Sequence, residues 1–171
     1  MSVHRQETGP AARRYDRLML ARPLPVLTSS LCCAAFAAGC SSTTAPPSPA
    51  CSESAQAVEA ALARAPDAVR LRDGTRLSEC VSHAVEQGPL EDVGATFVVA
   101  AGDLAARATT DRVAALRLGY LVGATRRGAA RTNGAALELA RRLERAGALS
   151  GAPATSLAAE RVGLAAGQRS G

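Results

Sequence analysis

Apolar residues recur at helical spacing through most of the chain beyond residue 53. Val58 and Leu62, with alanines beside them, predict a helix from Ser54 to about Ala65, ended by Pro66. The stretch 69–77 (Val-Arg-Leu-Arg-Asp-Gly-Thr-Arg-Leu) instead alternates apolar and polar residues around Asp73-Gly74, which predicts a short hairpin-like insertion. A second helix is expected from Ser78, as its N-cap, to just before Gly88-Pro89. The third has Pro89 in its first turn and carries Leu90, Val93, Phe97, Ala101 and Leu104 on one face. The fourth runs from about Asp111 to Arg131, with Val113, Leu116, Tyr120 and Ala124 in register, and Thr132-Asn133-Gly134 breaks it. The fifth shows Leu139 and Leu143 flanked by Leu137 and Ala140. Gly151-Ala152-Pro153 then separates a last helix, Thr155 to about Ala166, which presents Leu157, Val162 and Leu164 and is weakened by Gly163 and Gly167. No fixed repeat is visible. The expected fold is mainly α, a small bundle of about five to six helices with one hairpin-like insertion.

The N-terminal part reads differently. Arg22 is followed by an apolar run from Leu24 to Ala38, then Gly39-Cys40-Ser41-Ser42-Thr43-Thr44. The run is shorter than the roughly 20 apolar residues that a membrane-spanning helix requires. A charged residue, a short apolar run and small residues at its exit are the parts of an export signal. Ala37-Ala38-Gly39-Cys40 resembles the lipobox of bacterial lipoproteins, although that family usually has Leu where this chain has Ala37. The resemblance implies that 1–39 is a signal peptide and that Cys40 is lipidated and becomes the first residue of the mature chain. It also implies anchorage to the outer face of a bacterial membrane through that lipid. The alternative is ordinary cleavage after Ala35-Phe36-Ala37, giving a secreted or periplasmic protein. Met19 opens a signal of ordinary proportions, so 1–18 reads as a start placed too far upstream. Arg13-Arg14 does not make a twin-arginine signal, because Asp16 stands where an apolar residue is wanted. Residues 40–50 are Ser/Thr/Pro-rich and read as a disordered tether ahead of a helical domain at 51–171.

Processing changes the charge and the cysteine count. The full chain carries a formal +5, but residues 1–39 hold five Arg and two acidic residues, which leaves +2. With only Phe97 and Tyr120 available for stacking, nothing points to nucleic acid. All 20 basic residues are Arg and 39 residues are Ala. The helices should therefore be firm while their side chains bury little area. Cys32 and Cys33 leave with the signal and Cys40 is committed to lipid, so Cys51 and Cys80 remain and are expected to form a disulfide.

Candidate chemistry is sparse. His83 is the one histidine after processing; it lacks the companions of a metal site, and pairing Cys51 with Cys80 removes the nucleophile from a Cys80/His83 dyad. Glu91-Asp92 complement a helix N-terminus, and Glu138 and Arg142 brace a helix at i, i+4. Gly119 and Gly123, four apart, predict a close helix approach inside the bundle, against the third or fifth helix, ahead of a dimer seam. Arg126, Arg127 and Arg131, with Arg141, Arg142 and Arg145 on the next helix, form a candidate anion or partner surface interrupted by Glu138 and Glu144. No phosphate loop or nucleophile elbow appears, and no catalytic, metal or cofactor-binding residue is assigned. The sequence thus favours a non-enzymatic, lipid-anchored envelope protein that packs against another envelope component. The alternative is a binding module for a small anionic or lipidic ligand, which predicts an apolar cavity with Arg126 or Arg127 at its mouth.

Overall fold

The structure, a computed structural model, describes residues 45–132 and 134–171. The apolar run, Cys40 and the first part of the tether, up to residue 44, lie outside the described residues, and the end of the expected tether is corrected: Ser48 bonds to Asp73 and Ala50 is buried, so the folded domain begins before Cys51. The ordered path opens with a 3-10 helix at Pro49–Ser52, whose Ala50 and Cys51 are buried. Six helices follow: α1 (Ala55–Leu62), α2 (Leu77–His83), α3 (Gln87–Ala108), α4 (Arg112–Ala129), α5 (Ala135–Ala146) and α6 (Ala154–Ser170). Among the described residues no helix is long and apolar enough to cross a membrane.

Local chemistry sets most helix starts. Ser54 caps α1, its Oγ accepting from Ala57 N–H at 3.1 Å, and Asp111 caps α4, accepting from Val113 N–H at 2.7 Å. The expected Ser78 cap is corrected. The N-cap of α2 is Arg76, two residues earlier, where the Glu79 carboxylate reaches back to Arg76 N–H at 2.8 Å, half of a capping box. Ser78 is buried, and its hydroxyl donates to the Gly171 carbonyl. Gly88 and Pro89 sit in the first turn of α3, where a missing N–H costs nothing.

The hairpin-like insertion is also corrected, because no strand ladder forms there. Gly74 N–H donates to Leu71 O and Leu71 N–H to Thr75 O, both at 2.9 Å, with Gly74 at φ +89. This is a three-residue loop closed by a left-handed glycine, and it ends after one rung. The alternation still governs burial: Val69, Leu71 and Leu77 are in the core while Arg70 and Arg72 are exposed. Asp73 fastens the loop by accepting from Thr75 N–H (3.0 Å), Thr75 Oγ1 (2.9 Å) and Ser48 Oγ. These donors, Ser48 first, hold its carboxyl down at about 2, against an ordinary 3.8. A depressed carboxylate contributes stability above its ordinary value and loses it as pH falls toward the folded one. The difference in unfolding midpoint between the parent and Asp73→Asn should therefore narrow between about pH 4 and about pH 2. A difference that stays constant over that window would refute this role for the carboxylate.

Helix α4 is the centre of the bundle. Twelve of its 18 residues are buried, around the whole circumference rather than along one stripe. Val113, expected inside, is 53% exposed, and so is Val162 on α6. The largest buried side chains are Tyr120 and Phe97, surrounded by leucines from α1, α2, α3, α4 and α5. The Tyr120 hydroxyl accepts from Val69 N–H at 3.0 Å and lies 3.1 Å from Ser170 Oγ, which itself donates to Ala166 O. The phenol therefore donates to Ser170 and ties the buried segment at Val69 to α6. Tyr120→Phe should cost about 1–3 kcal/mol, because it leaves a fully buried Val69 N–H without an acceptor. Faster hydrogen exchange at Val69 in that variant is the matching readout.

The fold is closed by backbone proximity between α4 and α6. A Cβ placed on Gly119 or Gly123 would overlap the carbonyl oxygens of Glu160 or Leu164, and one on Gly163 or Gly167 those of Leu116 or Tyr120. The paired positions advance together, so the two helices run parallel, with α5 as the return between them. Gly119 and Gly123 thus mark packing inside the bundle as expected, but their partner is α6 rather than α3 or α5. Gly163 and Gly167 are what dock the last helix.

Candidate functional site

Three surfaces carry the residues that the sequence singled out. The first is the end of α2. His83 lies in its last turn, partly exposed. Cys80, one turn away, is fully buried and bonded to Cys51 with Cα atoms 5.5 Å apart, so its thiol is not available beside the imidazole. Among the described residues no group of three or more His, Cys, Asp or Glu side chains is placed to hold a metal ion.

The second surface is the C-terminal end of α4. Arg126, Arg127 and Arg131 do come together, around a shallow depression with Ala130 and Gln168. Arg126 Nε is 2.7 Å from Glu144 Oε1 on α5. Arg127 Nη1 donates to Gln168 O at 3.1 Å and to Arg169 O, satisfying carbonyls at the C-terminal end of α6 where a cation is favoured. Two of the three guanidinium groups are therefore engaged in holding helices together, and Arg131 is exposed. Nearby Glu160 is pushed above the ordinary carboxylate range by burial, against the pull of Arg161 and Arg126.

The third is a groove of about 780 Å³ between α3 and α5, which the sequence reading did not find. Leu90, Gly94 and Val98, each four apart on α3, form its floor with Leu139 of α5. Gly94 lets α5 sit close, since an added Cβ would lie 3.1 Å from Leu139 Cδ1 and the leucine would have to shift slightly. The stripe was available in the sequence as a second apolar line on α3, displaced from the buried one through Val93, Phe97, Ala101 and Leu104. Periodicity places Leu90 on the core face with Val93 and Phe97, whereas it is only partly buried. Val85, 60% exposed, stands at the rim.

The groove walls differ in charge. On the α3 side stand Glu86 and Glu91, with Asp92 adjacent and no basic residue on the helix before Arg107. On the α5 side three arginines converge on one carboxylate: Glu138 meets Arg145 at 2.9 Å, Arg142 at 3.6 Å and Arg141 at 3.7 Å. Arg145 first, then Arg142 and Arg141, hold Glu138 below the ordinary carboxylate range. The arginines expected to form one surface across α4 and α5 thus separate into two groups, and those at the groove are Arg142 and Arg145, not Arg126 and Arg127.

Among the described residues, fold and surface together define a helical domain stapled by the Cys51–Cys80 disulfide, with an open, apolar-floored groove between α3 and α5. No protein-family model matches the chain, and neither a curated protein nor a solved structure is similar to it at the significance required.

Proposed function

We propose that this protein is a lipid-anchored component of a bacterial cell envelope whose helical domain docks against a protein surface rather than turning over a substrate. The observation that carries the docking role is the α3–α5 groove, with its floor of Leu90, Val98 and Leu139 and its charged walls. Such a groove suits an apolar face of a partner, with polar walls that fix its orientation. The anchoring role stands on Gly39-Cys40 behind the apolar run, followed by a Ser/Thr/Pro tether. A second reading, a site for a small anionic or lipidic ligand, draws on the same groove. Its volume lies in the range of ligand pockets, and Arg142 and Arg145 stand on its rim. Glu138 between those two arginines, and Glu86 and Glu91 opposite, oppose an anion and favour the docking reading.

Intact-mass measurement on protein from the membrane fraction tests the anchor. The expected species begins at Cys40 and carries acyl mass, and Cys40→Ser should move the protein into the soluble fraction. An unmodified N-terminus at Ala38 would overturn the anchoring role.

A further inference from the structure

We infer that the α3–α5 groove receives a second copy of this chain, making a two-fold dimer in which the acidic wall of one copy lies on the basic wall of the other. This names the partner of the surface described above and rests on reading that surface as a docking site.

The groove carries unspent charge of both signs. Among the described residues Glu86, Glu91 and Asp92 enter no ion pair, and Glu91 only accepts from Gln87 Nε2 at 2.9 Å. Across the groove Arg142 and Arg145, with Arg141 beside them, share the single carboxylate of Glu138, which leaves that wall in cationic excess. The two walls are thus opposite in sign without being paired to each other.

A two-fold axis along the groove exchanges the walls. It sets α3 of each copy over α5 of the other, so each acidic wall meets a basic one, and the same contact is made twice, as an isologous interface requires. The apolar floors face each other in the same operation, and each copy brings Val85, which is 60% exposed, to the seam. A foreign partner would need the inverse charge pattern around its own apolar stripe, whereas this chain already carries it. Like-charged walls would repel in the other face-to-face register, with α3 on α3, so the charge pattern selects one orientation.

The test uses the full chain in detergent and two variants, E86R/E91R and R142E/R145E, followed by sedimentation over a concentration series. The parent is expected to self-associate reversibly. Each variant alone presents two walls of one sign and should lose self-association by about tenfold or more in Kd. Mixed together, the two variants present opposite walls again and should recover a heterodimer, an outcome that a misfolded variant could not give. The inference is overturned if the parent stays monomeric, if either variant associates as the parent does, or if the mixture of variants fails to recover association. These results are separable from those for the anchor: an acylated monomer sinks only the dimer, and an unacylated dimer sinks only the anchor.

Discussion

Gly163→Ala is expected to destabilise the full-length protein by about 3 kcal/mol, a fall of roughly 10 °C in Tm. On helix propensity alone the substitution should help, since alanine is favoured over glycine by about 1 kcal/mol in a helix interior. Here the added methyl would overlap the Leu116 carbonyl oxygen and lie 2.8 Å from Leu116 C and 2.9 Å from Tyr120 N. All three are backbone atoms of the central helix, so no side chain can rotate away. Relief requires α6 to move off α4, which opens the seam at Gly119, Gly123 and Gly167 as well and disturbs the Tyr120–Ser170 hydrogen bond. Gly102→Ala is the internal control. That glycine also lies within a helix, but nothing stands within 4 Å of its added Cβ, so the same change should stabilise by up to about 1 kcal/mol. Denaturant unfolding followed by circular dichroism reads both. Equal effects of the two substitutions would show that the α4–α6 seam is not the close contact described.

The second large effect is expected from the disulfide. The double substitution Cys51→Ala with Cys80→Ala should cost about 3–4 kcal/mol, because the bridge closes a loop across a sequence separation of 29 residues. Its structural consequence is local as well as entropic. Cys51 belongs to the 3-10 helix that leads into α1, and Cys80 to α2, a helix of only seven residues. So short a helix is unstable by itself and depends on its attachments. Besides the bridge, these are the Glu79 contact to Arg76, the Ser78 contact to Gly171, and the packing of Val81 against Gly128. Loss of the bridge should therefore raise hydrogen exchange first in 49–52 and 77–83. Thermal melts of the variant and of the parent without reductant give the stability change. Identical melts would mean that the loop is held equally well by its other contacts.

Helix positions were legible wherever the chain states a start or stop in its own neighbourhood. Ser54 and Asp111 stand at the predicted starts of their helices, and the structure makes both of them caps, because a cap needs only the next turn of backbone to bond. Val93, Phe97, Ala101 and Leu104 read as one face and are buried together. The failures came where burial depends on what lies opposite. Val113 and Val162 fall in register with true core positions but point outward, since the surrounding helices leave those sectors uncovered. Ser78 has the composition of a cap, yet its hydroxyl found a partner 93 residues away. The alternation at 69–72 correctly separated inside from outside, but a strand also needs a neighbour to pair with, and here the loop packs on α4 through Val69 and Tyr120 instead.

Of the candidate site, the sequence displayed the charges but not their grouping. It carried Arg141, Arg142, Arg145 and Glu138 at helical spacing, which is enough to predict that they cluster. It could not show that this cluster faces Glu86 and Glu91, because those residues are brought alongside only by the packing of Leu139 over Gly94.

What the sequence determined alone was an α-helical chain with a thin, alanine-rich core, the approximate course of its helices and the pairing of its two later cysteines; these follow from local periodicity and simple counting. Which helices touch was decided only in three dimensions. The spacing of Gly163, Gly167 and Gly171 matches that of Gly119 and Gly123, but a spacing of four marks every close-packing stripe alike and names no partner. Partner choice follows from the burial of α4 around its circumference, which sets Gly119 and Gly123 against whichever helix can present backbone instead of side chains, and α6 is the helix that does.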